Sequence, residues 1–145
     1  MQHNVRLAAE LAAPPADVYA MYLDPEMHAD IIGGAVTVVA REGSAFLAFE
    51  GTLSGRILHL MPGKRIVQTW RSNEFRKEDP DSILILSFTP HGRKGTLVDL
   101  QHIDVPEQDY AGISQGWELY YFAPWREYLK KRNGKKRPAK PARMG

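Results

Sequence analysis

Between residues 35 and 105 the chain is a series of short, apolar-patterned runs separated by turn residues, and that regular spacing restricts the region to an antiparallel sheet. The runs cover 35–40, 45–50, 53–61, 64–73, 82–89 and 96–105. Pro62-Gly63 fits a tight turn, because proline presets φ and glycine accepts the positive φ that follows. His91-Gly92-Arg93-Lys94-Gly95 joins the last two runs. Loops this short pair each strand with the next, which predicts a meander.

The flanks are written differently. Residues 5–11 alternate apolar with polar or small side chains, the period of a half-buried strand, and Pro14-Pro15 ends it. Pro15 then suits a first helical position, and Val18, Tyr19, Met21, Tyr22 and Leu23 give a short helix one apolar face. Asp24-Pro25-Glu26 restarts a second short helix, with Asp24 as N-cap, and Gly33-Gly34 ends it. From 107 to about 131 the period is helical again. Ile113, Tyr121, Pro124 and Tyr128 fall within about 40° of Trp117, one apolar stripe, and Pro124 should kink the helix near Tyr120. The fold class is therefore α+β, in the order one strand, two short helices, six strands and one long helix. Only that last helix can cover the apolar face of a curved sheet, and such a wrapping tends to leave a cavity.

At 145 residues, with 43% hydrophobic and 25% charged side chains, the composition is that of one soluble globular domain. The formal charge of +2 conceals a division. Eight of the 19 basic side chains fall in residues 130–145 with no acid among them, leaving 11 basic against 17 acidic side chains, net −6, over the first 129 residues. We expect a folded body of 1–131 and a basic, disordered tail of 132–145. The tail lacks the interleaved aromatics of a base-stacking segment, so it reads as a solubilising appendage and not as a nucleic-acid or anionic-membrane site. The absence of cysteine removes disulfides, thiolate metal sites and cysteine nucleophiles, and suits the cytoplasm. No apolar run is long enough for a transmembrane segment, and the start of the chain does not resemble a signal peptide.

Few constellations carry chemistry. Gly112-Ile113-Ser114-Gln115-Gly116 matches G-x-S-x-G, but no strand precedes it and no histidine follows it, so it reads as a helix start. The five histidines lack metal-ligand spacing, and neither a metal nor a cofactor is expected. Period-2 reasoning instead selects inward positions for a cavity wall. These are Phe46 and Glu50, then His59 two residues after Ile57, then Trp70. Leu84, Leu86 and Phe88 follow on one strand, and Val98, Leu100 and His102 on the next, with Asp104 on the same face. Trp117 and Tyr121 face them from the final helix. On the helix's far side, roughly 120 to 200° away, Leu119, Phe122 and Leu129 could pack on the short helices or meet a partner or a second copy.

Two stretches are similar to a known family. Ile66-Val67-Gln68-Thr69-Trp70-Arg71, after Met61-Pro62-Gly63-Lys64, and Gln115-Gly116-Trp117-Glu118-Leu119-Tyr120-Tyr121-Phe122 resemble the signature runs of the domain found in activators of the heat-shock protein 90 ATPase, within the SRPBCC, or START-like, superfamily. The similarity covers about residues 5 to 130. It implies a helix-grip fold, ligand binding in a hydrophobic cavity for the superfamily at large, and chaperone stimulation for the eukaryotic activators. Those activators carry a separate N-terminal domain with major chaperone contacts, for which this chain has no room. The leading expectation is thus a small apolar or amphipathic ligand bound without chemistry. Chaperone-linked interaction is the alternative. A cyclase- or hydrolase-like enzyme using His102 or Glu50 as acid/base group is the weaker one.

Overall fold

The computed structural model describes residues 2–136. Strand β1 (Gln2–Leu11) is followed by helices α1 (Pro15–Leu23) and α2 (Pro25–Ile32). The strands β2 (Val36–Thr37), β3 (Ala45–Ala48), β4 (Leu53–Met61), β5 (Arg65–Ser72), β6 (Ser82–His91) and β7 (Gly95–Pro106) come next. The chain then runs helically through α3 (Glu107–Gly116), a π-helical segment (Trp117–Phe122) and α4 (Ala123–Lys136). The sheet is curved, open and antiparallel, with seven strands in the order β1-β7-β6-β5-β4-β3-β2. The meander is as expected, and β1 closes its far edge by pairing with β7, from Gln2 opposite Pro106 to Leu11 opposite Thr96.

Local signals behave as their chemistry dictates. Asp24 caps α2 by accepting the Met27 N–H at 2.9 Å, and Gly33 ends that helix at φ 73°, a left-handed conformation a side chain would strain. The inner face of the sheet keeps strict alternation along Ile66, Gln68, Trp70, Ser72 on β5, Ser82, Leu84, Leu86, Phe88 on β6, and Thr96, Val98, Leu100, His102 on β7, all buried. The β2 run is shorter than the sequence suggests, only Val36–Thr37. The final helix continues five residues beyond the expected boundary at 131, to Lys136. The remainder of the expected tail, from 137, lies outside the described residues.

Pro124 acts differently from a simple kink. Lacking an N–H, it cannot bond the Tyr120 carbonyl, and the turn before it widens, with the Ala123 N–H reaching back five residues to Glu118 O. That wide turn changes which residues face the sheet. Ile113, Trp117, Tyr121, Trp125 and Leu129 recur every four residues and are all buried. A regular helix would drift about 40° at each such step, and the π turn takes up part of that drift. Phe122 is buried too, at 2% exposure, and Leu129 at 1%. Neither is available to a partner, which corrects the expected patch. Leu119 remains outside at 60%, joined by Tyr120 at 59%.

Candidate functional site

A cavity of about 390 Å³ lies where α3 and the π turn pass over the β4–β5 end of the sheet. Its wall is aromatic. Trp70 comes from β5, Trp117, Tyr120 and Tyr121 from the π turn, and Phe49 from the loop after β3. The rings form a continuous series, with centroids 6.4 Å apart for Trp70 and Trp117, 4.8 Å for Trp117 and Tyr121, 6.5 Å for Tyr121 and Phe49, and 6.2 Å for Phe49 and Tyr120. Gly112 and Gly116 make the helix side shallow, since neither places a side chain in the space. Ser72, Asn73, Glu74 and Asp109 supply the polar rim.

At that rim, Ser72 Oγ donates to Asp109 Oδ2 at 2.6 Å and accepts the Glu74 N–H at 3.0 Å. Asp109 sits in the first turn of α3, only 8% exposed. Burial raises its carboxyl above the ordinary carboxylate range, the Ser72 hydrogen bond opposes this, and the nearby Glu74 charge adds to it. Among the described residues neither Asp109 nor Glu74 has a cationic partner.

Behind the aromatic wall are two buried histidines. Ser82 Oγ donates to the Trp70 carbonyl at 2.7 Å, so its contact with His102 Nε2 at 2.8 Å requires the ring to donate. That leaves Nδ1 to accept from Trp117 Nε1–H at 3.2 Å. His102 is thereby a neutral ring that holds Trp117 in place and stands 4.6 Å from Trp70, edge to face. His28 Nδ1 donates to the Tyr22 carbonyl at 2.7 Å, and Nε2 accepts from the Tyr121 hydroxyl at 2.8 Å. Tyr22 in turn donates to Gln68 Oε1 at 2.6 Å. Burial lowers His102 to about 3 and His28 to about 4. Both rings have every nitrogen engaged within the protein, and the same contacts fix Trp117 and Tyr121.

Of the sequence-derived candidates, Trp70, Trp117 and Tyr121 border the cavity. Phe46, Leu84, Leu86, Phe88, Val98 and Leu100 are inward as expected but packed into the core, each 2% exposed or less. Three polar candidates are misplaced by breaks in alternation. Strand β3 ends at Ala48, and Glu50, at φ 57°, lies in an exposed turn. A bulge between Ile57 and His59 sets His59 opposite the outward Val67, where it meets Glu42 at 3.3 Å. Asp104 is the extra residue of a second bulge, at φ 64°, with its N–H bonded to Asn4 Oδ1 at 3.1 Å. Phe49, Tyr120, Ser72 and Asp109 were not anticipated. Extending the alternation from Trp70 would have found Ser72; nothing in the sequence marks Asp109 as its partner.

The serine motif lies wholly within α3, and Ser114 Oγ is buried with no hydrogen-bond partner among the described residues. Neither the strand-to-helix turn nor an activating base accompanies it. Among the described residues no three His, Asp or Glu side chains are close enough to hold a metal ion, and no helix is long and apolar enough to cross a membrane.

A long interrupted helix lying on an antiparallel sheet, with an aromatic cavity between them, defines a helix-grip domain of the START-like class. The chain belongs to the family described as Activator of Hsp90 ATPase homolog 1-like protein, whose model matches residues 12–130. An activator of 90 kDa heat shock protein ATPase homolog from Dictyostelium discoideum is 25% identical over 115 residues, covering 79% of this chain and 30% of that protein. The Homo sapiens activator of 90 kDa heat shock protein ATPase homolog 1 is 25% identical over 119 residues, covering 82% of this chain and 35% of its own length. The chain thus spans about a third of the length of these curated relatives. The crystal structure of an HSP90 activator from Plasmodium falciparum superposes with a TM-score of 0.80 at 18% identity, over 88% of this chain and 96% of that one, a likeness of fold.

Proposed function

We propose that the domain binds a small apolar or amphipathic molecule in the cavity between the final helix and the β4–β5 end of the sheet. The observation that carries the proposal is the 390 Å³ space lined by Trp70, Trp117 and Tyr121, whose orientations are fixed from behind by His102 and His28. Pockets that hold small ligands start at about 300 Å³ and combine an apolar wall with a few placed polar groups. No chemistry is assigned to it: His102 has both nitrogens occupied inside the protein, and Glu50, exposed in the turn between Phe49 and Thr52, is not among the residues that line the space.

Gly116→Leu tests the reading directly. A Cβ at Gly116 meets only the Tyr120 ring, at an ordinary 3.5 Å, so the larger side chain can enter the cavity without displacing backbone. A panel of neutral aromatic and aliphatic compounds should raise the melting temperature of the natural chain and leave that of Gly116→Leu unchanged. Equal shifts in both proteins would place binding elsewhere.

A second reading, contact with a chaperone, draws on the names of the relatives and on two exposed sequence neighbours, Leu119 and Tyr120, of which Tyr120 borders the cavity. Its check is the ATPase rate of the cognate 90 kDa chaperone with and without this protein. An increase that Leu119→Ser abolishes would support it, and an unchanged rate would remove it.

A further inference from the structure

Taking the cavity as a binding site, we propose that its ligand is an organic cation, an amine or quaternary ammonium carried on a flat apolar group. The charges of the wall point that way. Asp109 and Glu74 stand at the rim, and no Lys, Arg or His is among the described residues that line the space. The body that surrounds it is itself acidic. A carboxylate nine-tenths buried ordinarily has a cation or several hydrogen-bond donors to offset the loss of water. Asp109 has one side-chain donor, Ser72, on Oδ2 only. Its Oδ1 has no protein donor among the described residues and is not sealed from solvent, so a positive group at the rim would take the place of water there.

The aromatic series adds a second, independent preference. Trp70, Trp117, Tyr121, Phe49 and Tyr120 present five rings to one cavity, and ring faces attract cations, most strongly where water is excluded. A fatty acid or other anion would instead meet two like charges and no compensating base. The same rings accept the flat part of the ligand by stacking.

Three probes of one shape separate charge from fit: indole-3-ethylamine, the neutral indole-3-ethanol and the anionic indole-3-propionate, measured by calorimetry at neutral pH. The amine should bind at least about tenfold more tightly than the alcohol, with the propionate weakest. Asp109→Asn should bring amine and alcohol to similar affinity, and its urea midpoint at pH 7 beside that of the natural chain shows that the variant is folded. Glu74→Gln, at an exposed rim position, should do the same to a smaller degree. Amine affinity equal to or below that of the alcohol overturns the cation and leaves the cavity reading standing, as does binding of neutral compounds alone. Failure of all three probes and of every neutral compound overturns the cavity reading itself.

Discussion

The two ends of the inner sheet face are built to different standards. Over β6 and β7 the wall is sealed: Leu84, Leu86, Phe88, Val98 and Leu100 interlock, and each buried polar group there is paired, Ser82 with the Trp70 carbonyl, Thr96 with the Ala13 carbonyl at 2.6 Å and His102 with Ser82 and Trp117. Over the β4–β5 end the helix stands off, two glycines thin its surface, and a carboxylate is left with one side-chain donor. The turn beside it holds Phe49 and Glu50 at positive φ of 50° and 57°, a conformation side chains rarely adopt. The same sheet therefore contains a stability half and a half in which packing has been given up. Stability is lost where space is kept open, and the sealed half must compensate.

The largest effect that can sharpen this contrast is acid. Both histidines titrate well below the ordinary value of about 6.5, so between that pH and their folded values the unfolded chain binds more protons. Stability is complete above about pH 6.5 and falls as the pH drops towards about 4 for His28 and about 3 for His102. Together they should remove on the order of 5 kcal/mol by pH 4. Urea midpoints at pH 7 and pH 4 measure it, and His102→Gln should flatten the dependence whatever its effect at pH 7. A slope unchanged by that substitution would contradict the sealed, neutral environment of the ring.

Truncation compares the halves directly. Leu100→Ala, in the sealed wall at 0% exposure, should cost about 2 to 5 kcal/mol, because the hole it leaves cannot collapse. Leu53→Ala, at the cavity margin and half-buried, should cost about 1 kcal/mol or less, since it enlarges a space already present. Equal losses would mean that the two ends are packed alike. The smallest effect has the opposite sign. Gly116→Ala should stabilise by up to about 1 kcal/mol, the helix-propensity gain with no clash to oppose it, and a loss would show that the helix surface there is already filled.

Much of this molecule is legible in the chain because its signals are local. The caps of α2, the turn at Pro62-Gly63 and the alternation along β5, β6 and β7 each depend on neighbours a few residues away. The signature runs around Trp70 and Trp117 carried the family and four of the five rings of the cavity wall, Tyr120 among them. What was missed follows from events alternation cannot register. Bulges after Ile57 and at Asp104 turn His59 and Asp104 outward, and of the two fates open to Phe122 and Leu129, packing within the fold or meeting a partner, the first is the one observed.

By itself, then, the sequence determined which segments are strands and helices, their order, and which positions along most strands face the core. Hydrophobic period and turn chemistry act over a few residues and need nothing else. Only the tertiary structure decided which inward residues border space and which fill it. It alone brought Asp109 to Ser72, thirty-seven residues apart, and His102 to Trp117. A cavity is the distance between two surfaces, and that distance is set by how the final helix seats on the sheet, not by any residue on either one.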